Sequence, residues 1–189
     1  MIDNISFKSR IRAVRNGEFA RASSMVKDKH FVNYPWRAID SVKADKAMTL
    51  GVLDCTVLGI TDGFEVLLMH LCPTNPENCN FNKIKKYIKE HIEIGNPDLQ
   101  AVLFGSQDYS NRSQHLFYNL NKFIKSLNIP CSVFRNCDGE FNVGYSSTTD
   151  EWIVSGQQMD IAFNKQMTSE EALKTNFKEI QLSAFDEIA

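Results

Sequence analysis

The sequence predicts an α+β fold in a single domain spanning residues 1–189. Three observations carry that reading. Strand-like runs come grouped with a few helices, not in the strict alternation that builds a parallel sheet. A chain of 189 residues suits one compact domain, and no internal repeat, low-complexity tract or Gly/Ser linker divides it. Apolar residues make up 43% and charged residues 23%, the balance of an ordinary globule. A domain of this size buries roughly 70% of its unfolded surface and needs no disulfide or metal staple.

Taken in order, the first forty residues are weakly patterned. Asn33-Tyr34-Pro35-Trp36 marks a turn or extended segment, because the residue before a proline is pushed out of the helical region. Residues 55–61 and 64–71 are β-rich runs joined by Asp62-Gly63, a strong hairpin signal. A helix is predicted over about 81–93, with Ile84, Tyr87, Ile88 and Ile92 on one face and Gly95 as its stop. Leu99–Phe104 reads as a buried strand ending at Gly105. The next helix starts near Asn111, whose side chain can cap while Gln114 reaches back. Leu116, Leu120, Phe123, Ile124 and Leu127 line its buried face, and Pro130 ends it. Cys131–Asn136 is a further strand and residues 139–155 a second hairpin. A last helix runs from Thr168, with Glu171 completing a capping box and Leu173, Phe177 and Ile180 facing inward.

Charge and cysteine usage exclude several classes. A net charge of −2 lacks the basic excess of a nucleic-acid binder. The first thirty residues are basic (Lys8, Arg10, Arg12, Arg15, Arg21, Lys27, Lys29) and residues 150–189 acidic, which reads as solvated surface, with a partner-docking patch as the alternative. No run approaches the roughly 18 apolar residues of a membrane span. The five cysteines are odd in number and contain no CxxC pair, which argues against a disulfide framework or a zinc site and fits a reducing compartment. Without the layout of a secretory signal, the expected location is cytoplasmic, or inside a host cell after export that uses no cleaved signal peptide.

The first hairpin carries the chemistry. A two-residue turn at Asp62-Gly63 sets Thr61 opposite Phe64 and, further along, Cys55 opposite His70. Facing side chains share one side of a sheet with Cβ atoms about 4.5–5.5 Å apart. An imidazole beside a thiol can take its proton, giving a thiolate–imidazolium pair. The same ring can later protonate a leaving amine. On the pair alone, a packing cysteine and a satisfied core histidine remain the competing account.

Three blocks extend this. Residues 49–55 (TLGVLDC), 67–73 (LLMHLCP) and 101–107 (AVLFGSQ) resemble, in order and spacing, the pattern of the bacterial chemoreceptor glutamine deamidase CheD. The same cysteine–histidine core belongs to the deamidase domain of cytotoxic necrotizing factors and to single-domain lethal-factor toxins. The resemblance covers residues 48–155 and leaves 1–40 and 160–189 as unmatched extensions. It implies a mixed β-sandwich-like core with helices packed on its outer faces. It also implies Cys55 as nucleophile, His70 as base and Thr49 as the group orienting the imidazole, with Gly51, Ser106 and Gln107 at the substrate. The chain departs from the pattern at Leu53 and Asp54, where the family has glycine and serine, and at Ser106, where it has glycine.

The implied activity is hydrolysis of a protein glutamine side chain to glutamate through a thioester, without cofactor or metal. The implied partner is a protein substrate (a chemoreceptor, a small GTPase or a translation factor), met by a monomeric bacterial effector or toxin. Alternatives are a scaffold of the same fold that has lost the chemistry, a transglutaminase, and a chemoreceptor deamidase. Reach adds a condition. Six extended residues span about 20 Å, so Thr49 meets His70 only if the chain folds back near Gly51, where glycine permits it and where the bend can aim backbone N–H groups at an oxyanion.

Overall fold

A computed structural model describes residues 9–26, 31–32, 40–75, 80–105 and 111–179. Two sheets face one another. The first runs in the order β1 (Arg10–Ala13), β10 (Glu151–Gly156), β9 (Phe141–Ser146), β4 (Lys46–Val52), β2 (Phe31–Val32). The second runs β11 (Phe177–Glu179), β8 (Cys131–Asn136), β7 (Gln100–Gly105), β5 (Thr56–Thr61), β6 (Val66–Leu71), β3 (Asp40–Ala44).

Strand side chains alternate between faces, and both faces of the second sheet are covered. Cys55, Val57, Val66, Leu68, Val102, Phe104 and Phe134 point toward the first sheet and meet Val52, Phe141, Val143, Tyr145, Trp152 and Val154. Leu58, Ile60, Leu67, Met69, Leu71 and Leu103 point the other way, onto α2 (Phe81–His91) and α3 (Asn111–Ser126). That double burial is why β5, β6 and β7 are near-continuous apolar runs. On the outer face of the first sheet, Val14, Met48 and Phe19 form a small cluster with α1 (Asn16–Ser24). α4 (Gln157–Asn164) and α5 (Ser169–Asn176) send Met159, Ala162 and Ala172 into the inter-sheet core itself. The α+β sandwich in a single chain is therefore the observed fold. Among the described residues no helix is long and apolar enough to cross a membrane.

Residues 10–24 and 157–179, at either end of the described residues, belong to this architecture. β1 lies parallel to β10, and Arg12 there bonds Glu151 at 3.0 Å and Glu18 at 2.8 Å. Phe177 stacks edge-on against Phe104 and Phe141. The Thr168 capping box is present, with Glu171 N–H donating to Thr168 Oγ1 and Thr168 N–H to Glu171. Phe177 is buried, but in a strand and not in the helix that precedes it. Asn111 is itself the first residue of α3. Pro35, Ile180 and their neighbours lie outside the described residues.

One expectation needs correction. The β5–β6 connection is four residues long, and Thr61 faces Val66, not Phe64. The Asp62 carboxylate accepts the N–H groups of Phe64 (2.9 Å) and Glu65 (3.0 Å), an Asx-type turn that holds those two residues out of the ladder. Phe64 is left 80% exposed. The register therefore moves by two. His70 faces Val57, and the ladder ends at Thr56–Leu71 with Cys55 and Cys72 next along the two chains. An even shift preserves sidedness, so Cys55 and His70 still share the face turned toward the first sheet, now as diagonal neighbours.

Candidate active site

The site lies where the chain passes from one sheet to the other. β4 ends in the first sheet, residues 53–55 bend, and β5 begins in the second. The required fold-back is thus divided between a bulge and a crossover. Thr49 pairs with Val143 and Val52 with Phe141, leaving one extra residue on β4, and Gly51 within that bulge has φ +67°. Bulges of this kind re-aim side chains near sheet ends.

Thr49 and His70 are both fully buried and meet across the sandwich, with Thr49 Oγ1 2.7 Å from His70 Nδ1. The hydroxyl holds the ring by one nitrogen. Proton transfer would fall to Nε2.

Three contacts shape the crossover. The Ser113 hydroxyl, in the first turn of α3, donates to the Asp54 carbonyl at 2.6 Å. Asn136 Nδ2, at the end of β8, donates to the Leu53 carbonyl at 3.1 Å and the Gly139 carbonyl at 3.0 Å. Gly105, at φ +143°, lies so close that a Cβ there would sit 2.7 Å from the Cys55 carbonyl oxygen. Only glycine fits at that point of the third block. Ser113 and Asn136 escaped sequence reasoning, because their partners are 59 and 83 residues away and nothing local marks them.

Gly51 does not point its amide at a substrate. Its N–H donates to Asn142 Oδ1 at 3.0 Å, which removes that group from any oxyanion site. Ser106 and Gln107 lie outside the described residues.

The electrostatics set the resting protonation. Burial lowers the His70 pKa to about 4, so the ring is neutral at pH 7. Burial first, then the neighbouring Cys72 thiol and Asp54 carboxylate, push the Cys55 thiol far above the ordinary range. Asp54 Oδ1 is 3.8 Å from Cys55 Sγ, so the carboxylate opposes a thiolate instead of turning away. The pair rests as neutral thiol and neutral imidazole, not as the thiolate–imidazolium expected from adjacency alone.

A cavity of about 520 Å³ is lined by Pro73, Thr74, Phe81, Arg112, His115 and Leu116. One of its walls is tied to Cys72 through Thr74, whose hydroxyl is 3.0 Å from Cys72 Sγ. Among the described residues no group of three or more His, Cys, Asp or Glu side chains is placed to hold a metal ion. No protein-family model matches the chain, and no curated protein matches it.

Proposed function

We propose that the chain is a cysteine-dependent protein glutamine deamidase. The observation that carries the reading is the Thr49–His70 contact at 2.7 Å across the sandwich, with Cys55 on the same sheet face two residues along the chain from Val57, which His70 faces. A threonine holding the imidazole, and a cysteine on the bend that follows the threonine's strand, are what thioester chemistry needs. Cys55 attacks the glutamine carboxamide carbon while its proton passes to His70. Ammonia leaves with that proton, and a thioester remains. Water activated by His70 releases glutamate. With both groups neutral at rest, proton transfer accompanies attack instead of preceding it. The product gains one negative charge, enough to switch off a catalytic glutamine or disturb a helix interface in the target.

The test is ammonia release together with mass spectrometry of candidate chemoreceptors, small GTPases and translation factors for a glutamine-to-glutamate change. Wild-type protein should convert one glutamine, and Cys55→Ser none. Conversion by Cys55→Ser at the wild-type rate would overturn the reading.

A second reading has its own observation. Asp54 and burial both work against a Cys55 thiolate, as suits a scaffold that keeps the fold and has lost the chemistry. A thiol-reactive probe separates the two. An activated Cys55 labels faster in wild type than in His70→Ala, whereas equal labelling supports the scaffold.

A further inference from the structure

The shifted hairpin register gives Cys55 a neighbour unlike any expected from the sequence. The β5–β6 ladder ends at Thr56–Leu71, and the residues that follow it on the two chains are Cys55 and Cys72. Both belong to the inter-sheet core, both are free thiols, and the Cys72 thiol is a hydrogen-bonding neighbour of Cys55. The last ladder pair beside them holds its Cα atoms about 4.5 or 5.5 Å apart, as antiparallel pairs do, and a disulfide spans roughly 4.4–6.8 Å between Cα atoms.

We propose that Cys55 and Cys72 form a reversible disulfide, which makes Cys55 a site of oxidation and Cys72 its resolving partner. A peroxide is the oxidant. The Cys55 sulfur displaces one peroxide oxygen, giving a sulfenic acid and one water. The Cys72 sulfur then attacks the Cys55 sulfur, the S–O bond breaks, and a second water leaves with the Cys72 proton. Two thiols lose two electrons and the peroxide gains them. A small oxidant suits a pair only 1% and 2% exposed, and Pro73 and Thr74, which follow Cys72 in the chain, line a cavity. Because the thiolate is the reacting form, bridging below the thiol pKa accelerates about tenfold for each unit of pH. A thiol reductant reverses it. That the bridge also stops catalysis rests on the deamidase reading. The bridge itself does not.

The full-length chain is treated with hydrogen peroxide under native conditions, digested without reduction and mapped by mass spectrometry. The expected product is a peptide pair joined through Cys55 and Cys72, lost on reduction and forming faster at pH 8.5 than at pH 7. In Cys72→Ser the Cys55 sulfenic acid has no resolving thiol, so dimedone traps it, while wild type yields little adduct. Cys55 recovered as sulfinic acid, unmodified, or joined to Cys131 or Cys137 overturns the proposal, and the wild-type map alone decides this should Cys72→Ser not fold. A Cys55–Cys72 bridge in a protein whose reduced form deamidates no target leaves the bridge standing and removes the deamidase reading.

Discussion

The inter-sheet core holds a buried polar cluster at each end of the β5–β6 hairpin, and the two behave differently. Near the turn, Thr61 Oγ1 lies 2.7 Å from the Glu65 carbonyl and 3.0 Å from the Tyr145 hydroxyl, which donates to Asp150 at 2.9 Å, where Ser9 also donates. Gly59 and Trp152 pack beside it. At the other end stand Thr49, His70, Cys55 and Cys72. The first cluster ties a loop, a strand and Ser9 together. The second holds an imidazole and a thiol whose protonation burial has displaced. Buried polar groups persist where they are satisfied or where they react, and under the proposed deamidase chemistry this hairpin carries one of each kind.

The largest expected effect separates the two ends by activity. His70→Ala should reduce ammonia release by about 10²–10⁴-fold, the usual contribution of a general base, while Tyr145→Phe should leave the rate per folded molecule unchanged. Equal losses in the two variants would dissolve the distinction. Stability gives the reverse test. A Cβ on Gly59 would fall 2.0 Å from Trp152 Cη2, so Gly59→Val should cost about 3 kcal/mol or more in chemical denaturation. A change well below that would mean the ring can swing aside and the turn end is not the rigid one.

Titration sharpens the contrast. His70 has a folded pKa of about 4 against 6.5, so the unfolded chain binds the proton first. Its contribution is present above pH 6.5 and is lost as pH falls toward 4, up to about 3 kcal/mol. Tyr145 runs the other way. Burial raises it to about 12, so its contribution holds below pH 10 and is lost as pH rises toward 12. Denaturant midpoints across pH should show an acid arm that His70→Gln removes and an alkaline arm that Tyr145→Phe removes. Activity should share the acid limb, falling near pH 4 rather than 6.5. A single arm abolished by both substitutions would show the clusters to be coupled.

The same contrast explains what was legible. Strands β5 to β8, helices α2 and α3 and the α5 capping box could be read because apolar periodicity and local cap chemistry are written in adjacent residues. α4 could not, since its eight residues include Gln, Gln, Asp and Asn and its N-cap, Gly156, offers no side-chain bond. The two-residue turn failed at Asp62, whose carboxylate outbids the ladder for two N–H groups although Asp-Gly itself signals the shorter loop. The site stayed partly readable only because the slip was even. A shift of one would have sent His70 to the helix-covered face among Leu67, Met69 and Leu71. The Thr49 contact needed the family resemblance, and Ser113 and Asn136 needed the coordinates, since closure of a loop by residues far along the chain leaves no local trace.

The smallest effect tests what Thr49 does for His70. Thr49→Val keeps shape and branching but removes the hydroxyl, leaving Nδ1 buried opposite a methyl group. The lost hydrogen bond should cost about 1–2 kcal/mol in stability. If the hydroxyl only fills space favourably, activity per folded molecule stays constant. If it fixes the ring's orientation and tautomer, kcat falls with KM unchanged, and Thr49→Ser, which keeps the oxygen 2.7 Å from Nδ1, restores most of it. Thr61→Val is the matched control at the turn end. It also removes a buried hydroxyl from a strand facing the same core, and it should cost comparable stability while leaving kcat where it was.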